Sequence, residues 1–133
     1  MADRSAKLRL FLDQCREVYF RPGKRDCALF AADWIELVTG VDPAAPWRGR
    51  YITLTEGRAL LVKDGYREPS DVLAPWLVKD ARWMQARTGD VVVVIEDGEE
   101  ALGIVAGCHI HVLRSLRGLD VVPLDRAVRV YRP

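Results

Sequence analysis

Apolar residues recur at helical spacing along the first part of the chain. Residues 5–19 carry one such face, and Ser5 stands before it as a candidate N-cap. The face consists of Leu8, Phe11, Leu12, Cys15 and Val18. The pattern predicts an amphipathic helix that ends before the adjacent residues Pro22 and Gly23, because these two residue types favour a turn.

A second helix is predicted from Cys27 to the residue before Gly40. Asp26 is the candidate N-cap, and Gly40 supplies the stop. The apolar positions of this helix are Cys27, Phe30, Ala31, Trp34 and Val38. The connection between the two predicted helices is short, so we expect them to form a pair.

Two further helical segments are predicted before the chain changes character. Thr53 and Glu56 have the spacing of a capping box, which opens a third helix that stops at Gly65. Residues 70–78 favour a short helix, with Pro75 near its first turn or at a kink.

From residue 88 onward the sequence favours strands and tight turns. An acidic turn is expected over residues 96–100. The predicted strands cover residues 91–95, 102–106, 109–113, 119–122 and 127–131. Helices followed by consecutive hairpin strands predict an α+β fold, with the helices packed on one side of a small antiparallel sheet.

Composition indicates one globular domain over residues 1–133. Half of the residues are hydrophobic (50%) and 29% are charged, which suffices for a buried core. The net charge of +1 gives no field that would attract nucleic acid or an anionic membrane, so we expect neither as a partner. The first residues are interrupted by charge and no apolar run reaches transmembrane length, so we expect synthesis in the cytoplasm without a signal peptide.

Three cysteines occur at spacings that match neither a zinc site nor a disulfide framework. Cys15 lies on the apolar face of the first predicted helix and is interpreted as a small buried hydrophobe. Cys108 lies in a predicted turn, where we expect partial exposure and no special reactivity.

Cys27 is the candidate nucleophile. A thiol on the first turn of a helix lies at the positive end of the helix dipole, and Arg25 is close in sequence, so both favour the thiolate. Asp26 opposes this effect. The alternative is that Cys27 is a small apolar residue that fills the start of a helix.

His109 and His111 are the two histidines of the chain and alternate along one predicted strand. Residues two apart in a strand share a face, so both histidines are placed to look toward the start of the Cys27 helix. A metal site is the alternative for such a pair, but no spacing suggests a third ligand. We therefore expect no metal and no cofactor.

Arg48 and Arg50 flank Gly49 in the loop that follows the second helix. These arginines are candidates for the lining of a substrate groove. The alternative is a solvated loop in which only Trp47 and Tyr51 pack on the domain.

The order of short motifs resembles that of the NlpC-type, papain-like cell-wall amidases and peptidases. The motifs are Asp26-Cys27 opening an apolar helix, Thr88-Gly-Asp-Val-Val92 opening a strand, Leu102-Gly-Ile-Val-Ala-Gly107, and Ile110-His111. A second resemblance is more specific and points to small proteins of tail gene clusters in phages and gene transfer agents. It rests on Asp26-Cys-Ala-Leu-Phe-Ala-Ala-Asp-Trp34, Asp42-Pro-Ala-Ala45 and Arg48-Gly-Arg-Tyr51.

The amidase resemblance implies roles for individual residues. Cys27 matches the nucleophile and His111 matches the residue that orients the base, but the position of the base itself holds Ala101. Without an imidazole there, Cys27 cannot transfer its proton by the family's route unless His111 reaches it. A three-residue turn at Gly107 would pair His111 with Val105, on the face of Ala101; a two-residue turn would pair it with Ile104.

Two functions follow from the resemblance. The first is a structural or assembly component of a phage tail, carried in the virion, whose partners are other tail or tail-tip proteins. The second is a cysteine amidase or endopeptidase that cleaves peptidoglycan peptides, with Cys27 as nucleophile and His111 as base. The alanine at position 101 favours the structural role.

Overall fold

The computed structural model of the protein describes residues 3–17, 19–115 and 117–133. These ranges contain three α-helices, five strands and three short 3-10 segments. The helices are α1 (Arg4–Cys15), α2 (Cys27–Thr39) and α3 (Leu54–Lys63), and the strands are β1 (Val91–Glu96), β2 (Glu99–Ala106), β3 (His109–Arg114), β4 (Gly118–Pro123) and β5 (Ala127–Tyr131). The 3-10 segments are Pro69–Trp76, Trp83–Gln85 and Leu124–Arg126. The predicted α+β class is confirmed.

The first helix is shorter than predicted. Its N-cap is Asp3 rather than Ser5, because the Asp3 carboxylate accepts a hydrogen bond of 3.0 Å from the backbone N–H of Ser5. The helix ends at Cys15, well before residue 19, and the chain then reverses direction between Arg21 and Arg25. Val18, which the prediction placed on the apolar face, lies outside the described residues.

The second helix has the ends that the sequence predicts. The carboxylate of Asp26 accepts the backbone N–H of Leu29 at 2.9 Å, and Gly40 ends the helix with a φ of 79°. Such a positive φ favours glycine, because a side chain there would crowd the backbone. The buried side chains of α2 are Leu29, Phe30, Ala31, Ala32, Trp34 and Ile35.

The predicted cap of α3 is confirmed, and the short helix predicted around Pro75 is a 3-10 segment. Thr53 caps α3 by accepting the backbone N–H of Glu56 at 3.1 Å, as the capping box implied. The segment predicted as a short helix around Pro75 is a 3-10 turn structure from Pro69 to Trp76. Pro75 lies inside this segment and lacks the backbone N–H that would continue a regular ladder of helical hydrogen bonds, which agrees with a short and irregular helix.

The five strands form one antiparallel sheet in the order β4-β3-β2-β1-β5. The acidic turn is tighter than predicted, since β2 starts at Glu99 and pairs this residue with Glu96. The two turn residues, Asp97 and Gly98, both have positive φ values of 53° and 78°. Positive φ at both positions is the requirement of a type I′ hairpin, which matches the twist of the strands.

Each face of the sheet carries its own hydrophobic cluster. On one face, α1 and α2 pack against β-strand residues that include Val91, Val93 and Ile104. On the other face, Val92, Val94 and their neighbours lie beneath the irregular segments before β1 and after β4. The helices therefore occupy one side of the sheet, as predicted. No helix in the described ranges is long and apolar enough to cross a membrane.

Candidate functional site

Cys27, on the first turn of α2, lines a cavity of about 110 Å³. The cavity lies between α2, α3, the Pro69–Trp76 segment and the start of β2. Most of its lining is apolar; Ala32, Leu61, Val72, Leu73 and Leu102 are examples. An apolar concavity with a few polar groups is the usual form of a small-molecule or peptide site, so this is the candidate functional site.

Five polar side chains are among the residues that line the cavity. They are Asp26, Cys27, Tyr51, Arg58 and Glu100. The Arg58 guanidinium lies 3.5 Å from the carboxylate of Glu68 and 3.4 Å from that of Glu99. Both ion pairs are partly exposed and so contribute little to stability. Arg58 therefore adds a cationic side chain to a cavity that also contains the Asp26 and Glu100 carboxylates.

Glu100 lines this cavity and lies in β2, although the sequence predicts a turn at this position. One carboxylate oxygen accepts the hydroxyl of Ser70 at 2.6 Å, and the other accepts a guanidinium N–H of Arg129. Its neighbour in the cavity is Leu102, two residues along β2. The alternation of residues along a strand was the signal that could have placed Glu100 and Leu102 on one face.

The environment of Cys27 disfavours the thiolate. Burial and the adjacent Asp26 carboxylate raise the pKa of the Cys27 thiol to about 11. Hydrogen bonds from the backbone at Leu102 and Ala28 and the charge of Arg58 lower this pKa, but by less. Burial and the Asp26 carboxylate therefore outweigh the groups that favour the thiolate at this helix start.

Neither histidine lines the Cys27 cavity. His109 is exposed near the β2–β3 turn, and its Nδ1 lies 3.5 Å from the sulfur of Cys108. His111 is half-buried and lines a different cavity, beside α1 residues that include Leu8 and Leu12. The two imidazoles, which the sequence predicts to face the start of α2, therefore lie outside the lining of the cavity at that helix start.

The register of β2 and β3 explains the position of His111. The hairpin has the two-residue turn, and His111 pairs with Ile104, not with Val105. Directly paired residues share a face, so His111 lies on the helix-covered face with Ile104 and Leu102. Ala101 lies on the opposite face and packs against the second hydrophobic cluster. The structure therefore separates Cys27, His111 and Ala101, which the resemblance brought together as one site.

The carboxylate of Asp26 is buried and satisfied by three donors. It accepts the backbone N–H of Leu29 at 2.9 Å, the backbone N–H of Gly23 at 3.1 Å and the hydroxyl of Tyr51 at 2.5 Å. Burial and the proximity of Asp26 and Cys27 raise the pKa of Tyr51 above its ordinary range. This network fixes the start of α2 to the loop that precedes α3.

Arg48 is an internal link rather than a groove residue. Its guanidinium contacts the Asp33 carboxylate at 2.6 Å and that of Asp42 at 2.6 and 3.1 Å. Burial raises the pKa of Asp42, but the hydrogen bonds from Arg48 and the backbone lower it further, so the net shift is downward. Arg50 is exposed and donates to the carbonyl of Pro46 at 2.9 Å.

The loop between α2 and α3 follows the alternative interpretation of the sequence. Trp47 and Tyr51 are both buried on the domain. The indole N–H of Trp47 donates to Asp64 at 2.8 Å, and its ring meets that of Tyr66 edge-on. Neither Arg48 nor Arg50 lines the Cys27 cavity.

The remaining cysteines differ in environment. Burial and Asp33 raise the pKa of the Cys15 thiol to about 11, whereas Cys108 is exposed. All three cysteines are free thiols. Among the residues that the structure describes, no group of three or more histidine, cysteine, aspartate or glutamate side chains is arranged to hold a metal ion.

No curated protein matches the sequence. A family model described as a domain of unknown function, DUF6950, matches residues 1–133. The match covers the whole sequence, including the start of α2, the Cys27 cavity and all five strands. The chain therefore belongs to the DUF6950 family.

Proposed function

We propose that this protein is a phage or prophage tail-associated protein with an NlpC-type, papain-like fold. In this proposal it has a structural or assembly role in the virion, with weak or no catalysis. Its partners are other tail or tail-tip proteins. The tail association is supported by the sequence resemblance carried by residues 26–34, 42–45 and 48–51.

The polar side chains of the resembling segments contribute to the stability of the domain. Their polar side chains bond to other parts of the same domain: Asp26 accepts the Tyr51 hydroxyl, Arg48 pairs with Asp33 and Asp42, and the Trp34 indole donates to the carbonyl of Gly89 at 2.8 Å. Side chains that are fully used within the fold stabilise it.

One observation carries the proposal of weak or no catalysis: among the described residues that line the cavity of the Cys27 thiol there is no histidine. A cysteine nucleophile needs a base within hydrogen-bonding reach, either directly or through one water. The raised pKa of Cys27 agrees with this arrangement, because almost none of the thiol is ionised at neutral pH.

The experiment that tests the proposal is mass spectrometry of purified phage particles, with and without the gene. We expect the protein in intact wild-type particles, and defective tails when its gene is deleted. Complementation with Cys27→Ala should restore tails as fully as the wild-type gene does. Absence of the protein from particles, together with normal tails in the deletion strain, would overturn the structural role.

A second candidate function is a cysteine amidase or endopeptidase that acts on peptidoglycan peptides. The observation in its favour is that backbone hydrogen bonds at Leu102 and Ala28 point to the sulfur of Cys27 and stabilise its negative charge. This mechanism requires the His111 imidazole to move from its own cavity into reach of the Cys27 thiol. Cys27 would then attack a peptide carbonyl, His111 would receive the thiol proton and pass it to the leaving amine, and water would hydrolyse the acyl-enzyme.

Digestion of purified peptidoglycan, followed by chromatography of the released peptides, tests the second candidate. The control variant is Cys108→Ala, which removes an exposed thiol outside the cavity. Release that is lost in Cys27→Ala and retained in Cys108→Ala would establish the amidase. Release that is equal in all three proteins, or absent, would exclude it.

A further inference from the structure

Helix α3 forms one wall of the Cys27 cavity but buries none of its side chains. Leu54, Gly57, Arg58 and Leu61 line the cavity, and their spacing of three and four residues places them on one face of the helix. All ten residues of α3 belong to the described part of the chain, and none of them is buried. Helix α2, which also lines the cavity, has six buried side chains. Burial of apolar groups therefore fixes α2 in the domain, whereas α3 depends on contacts along its edges.

One edge of α3 is attached to the loop that contains Trp47 and Tyr51. The indole N–H of Trp47 donates at 2.8 Å to the carboxylate of Asp64, the C-cap of the helix. In the first half of the helix, Gly57 lies so close to the Tyr51 ring that a Cβ on this glycine would be 3.0 Å from the ring carbons. Trp47 and Tyr51 are themselves buried. These two contacts therefore fix one edge of α3 to the domain.

The attachment of α3 across the cavity is ionic. The guanidinium of Arg58 lies 3.5 Å from the Glu68 carboxylate and 3.4 Å from that of Glu99. Glu68 and Glu99 directly precede lining residues of the Pro69–Trp76 segment and of β2, so the ion pairs join α3 to two other walls of the cavity. The side chain of Arg58 is 40% exposed and that of Glu99 is 71% exposed, so water and salt weaken these ion pairs.

The two edges of α3 therefore differ in strength. Rotation of the helix about its edge on Trp47 and Tyr51 breaks the Arg58 ion pairs and leaves the buried contacts in place. Because exposed ion pairs contribute little, this movement costs much less than unfolding of the helix or of the domain. It also widens the approach to the Cys27 thiol, since α3 is one wall of the cavity that this thiol lines.

We propose that α3 is a hinged flap over the Cys27 cavity, held closed by the ion pairs of Arg58. In the closed state, which is the one described above, Arg58 holds the free edge of α3 against Glu68 and Glu99. Breaking of these ion pairs lets α3 swing about the loop of Trp47 and Tyr51 and admits larger molecules to the cavity. The flap depends only on the contacts of α3, so it is independent of the tail role proposed above.

The rate at which Cys27 reacts with a bulky thiol reagent, fluorescein maleimide, measures the opening. The protein carries Cys15→Ala and Cys108→Ser, so that Cys27 is the thiol that reacts. Arg58→Gln should raise this rate roughly three- to tenfold at constant pH, as expected for the loss of two exposed ion pairs. Arg58 lowers the pKa of Cys27, so its loss alone leaves less thiolate and slows the reaction. A faster reaction therefore reports access to the thiol.

Salt and a matched variant make the test specific. Sodium chloride at about 1 M should speed the reaction in the protein that keeps Arg58 and change it little in Arg58→Gln, because salt screens the ion pairs. The control is Arg67→Gln, which removes the same charge from an exposed arginine outside the cavity lining. This variant should react at the rate of its parent.

The dependence of the rate on urea separates movement of α3 from unfolding of the domain. A local opening exposes little new surface, so well below the unfolding midpoint the rate should be nearly independent of urea. A rate that rises steeply with urea over this range would overturn the proposal, because Cys27 would then be reached through global unfolding. An unchanged rate in Arg58→Gln, or an equal increase in Arg67→Gln, would overturn it as well.

Discussion

The hydroxyl of Tyr51 donates a hydrogen bond of 2.5 Å to the buried carboxylate of Asp26. This bond joins the N-cap of α2 to the loop before α3. It holds the Asp26 carboxylate in place directly beside Cys27, where the negative charge raises the pKa of the thiol. Asp26, the N-cap of α2, is therefore also one of the groups that raise the pKa of Cys27, the first residue of that helix.

Replacement of Tyr51 by phenylalanine tests the contribution of this bond. The variant leaves the ring in place but removes one donor from a buried carboxylate. We expect the free energy of unfolding to fall by about 2 kcal/mol, the range for a hydrogen bond to a charged group. Urea unfolding measures it, and Tyr19→Phe is the control because Tyr19 is 90% exposed. Equal stability of the two variants would contradict the proposed role of the bond.

Gly23 and Gly40 have similar backbone conformations, but only Gly23 packs closely against another segment, the backbone of Tyr51. Both have positive φ values, 81° and 79°. A Cβ on Gly23 would lie 2.0 Å from the carbonyl oxygen of Tyr51, whereas a Cβ on Gly40 would meet nothing within 4 Å. Gly40→Ala should cost about 1 kcal/mol for its backbone conformation alone, and Gly23→Ala about 3 kcal/mol or more, since the backbone must also move.

Thermal and urea unfolding measure whether Gly23→Ala loses more stability than Gly40→Ala. A Gly23→Ala protein as stable as Gly40→Ala would show that the contact between residue 23 and Tyr51 is loose. It would also weaken the case that Asp26 is held rigidly, because the Gly23 backbone N–H is one of its three donors.

The stability of the protein should depend on pH through His111. Burial, Arg16 and His109 lower the pKa of His111 in the folded protein. In the unfolded chain this pKa is about 6.5, so below that pH the unfolded state binds more protons than the folded state. The free energy of unfolding should therefore fall as the pH drops through 6.5 toward the lower folded-state pKa.

Urea unfolding between pH 5 and 7.5, in a buffer without phosphate, measures this dependence. His111→Leu should show a smaller loss of stability on acidification than the wild type, because it lacks the titrating imidazole. A loss of equal size in the two proteins would place the pH dependence elsewhere.

Much of the fold followed from local sequence signals. Asp26 and Gly40 predict the two ends of α2, and Thr53 predicts the start of α3. These ends are predictable because side-chain caps and positive φ values each favour particular residue types. The α1 cap was assigned to Ser5 instead of Asp3, since both residue types cap equally well. The pairing of β5 with β1 at the edge of the sheet joins segments that are distant in the sequence, so local sequence patterns do not predict it.

The candidate site was only partly predictable. Sequence position placed Cys27 on the first turn of a helix, and the structure agrees. The environment of its sulfur depends on tertiary burial, and burial outweighs the helix dipole. The location of His111 depends on the register of the β2–β3 hairpin, for which the sequence allows two turn lengths. Glu100 and Leu102, rather than Ala101, face the cavity because side chains alternate along β2.

The central claim is that Cys27 is not an activated nucleophile, and the pH dependence of its alkylation tests this most directly. The protein for this test carries Cys15→Ala and Cys108→Ser, so that Cys27 is the one remaining thiol. The rate of reaction with iodoacetamide is measured from pH 5 to 9.5, with circular dichroism to verify the fold, and again with His111→Ala added. We predict a slow reaction whose rate rises about tenfold per pH unit over the upper part of this range, in line with a pKa of about 11, and no effect of His111→Ala. A fast reaction that reaches its plateau below pH 7 and slows when His111 is removed would contradict the claim.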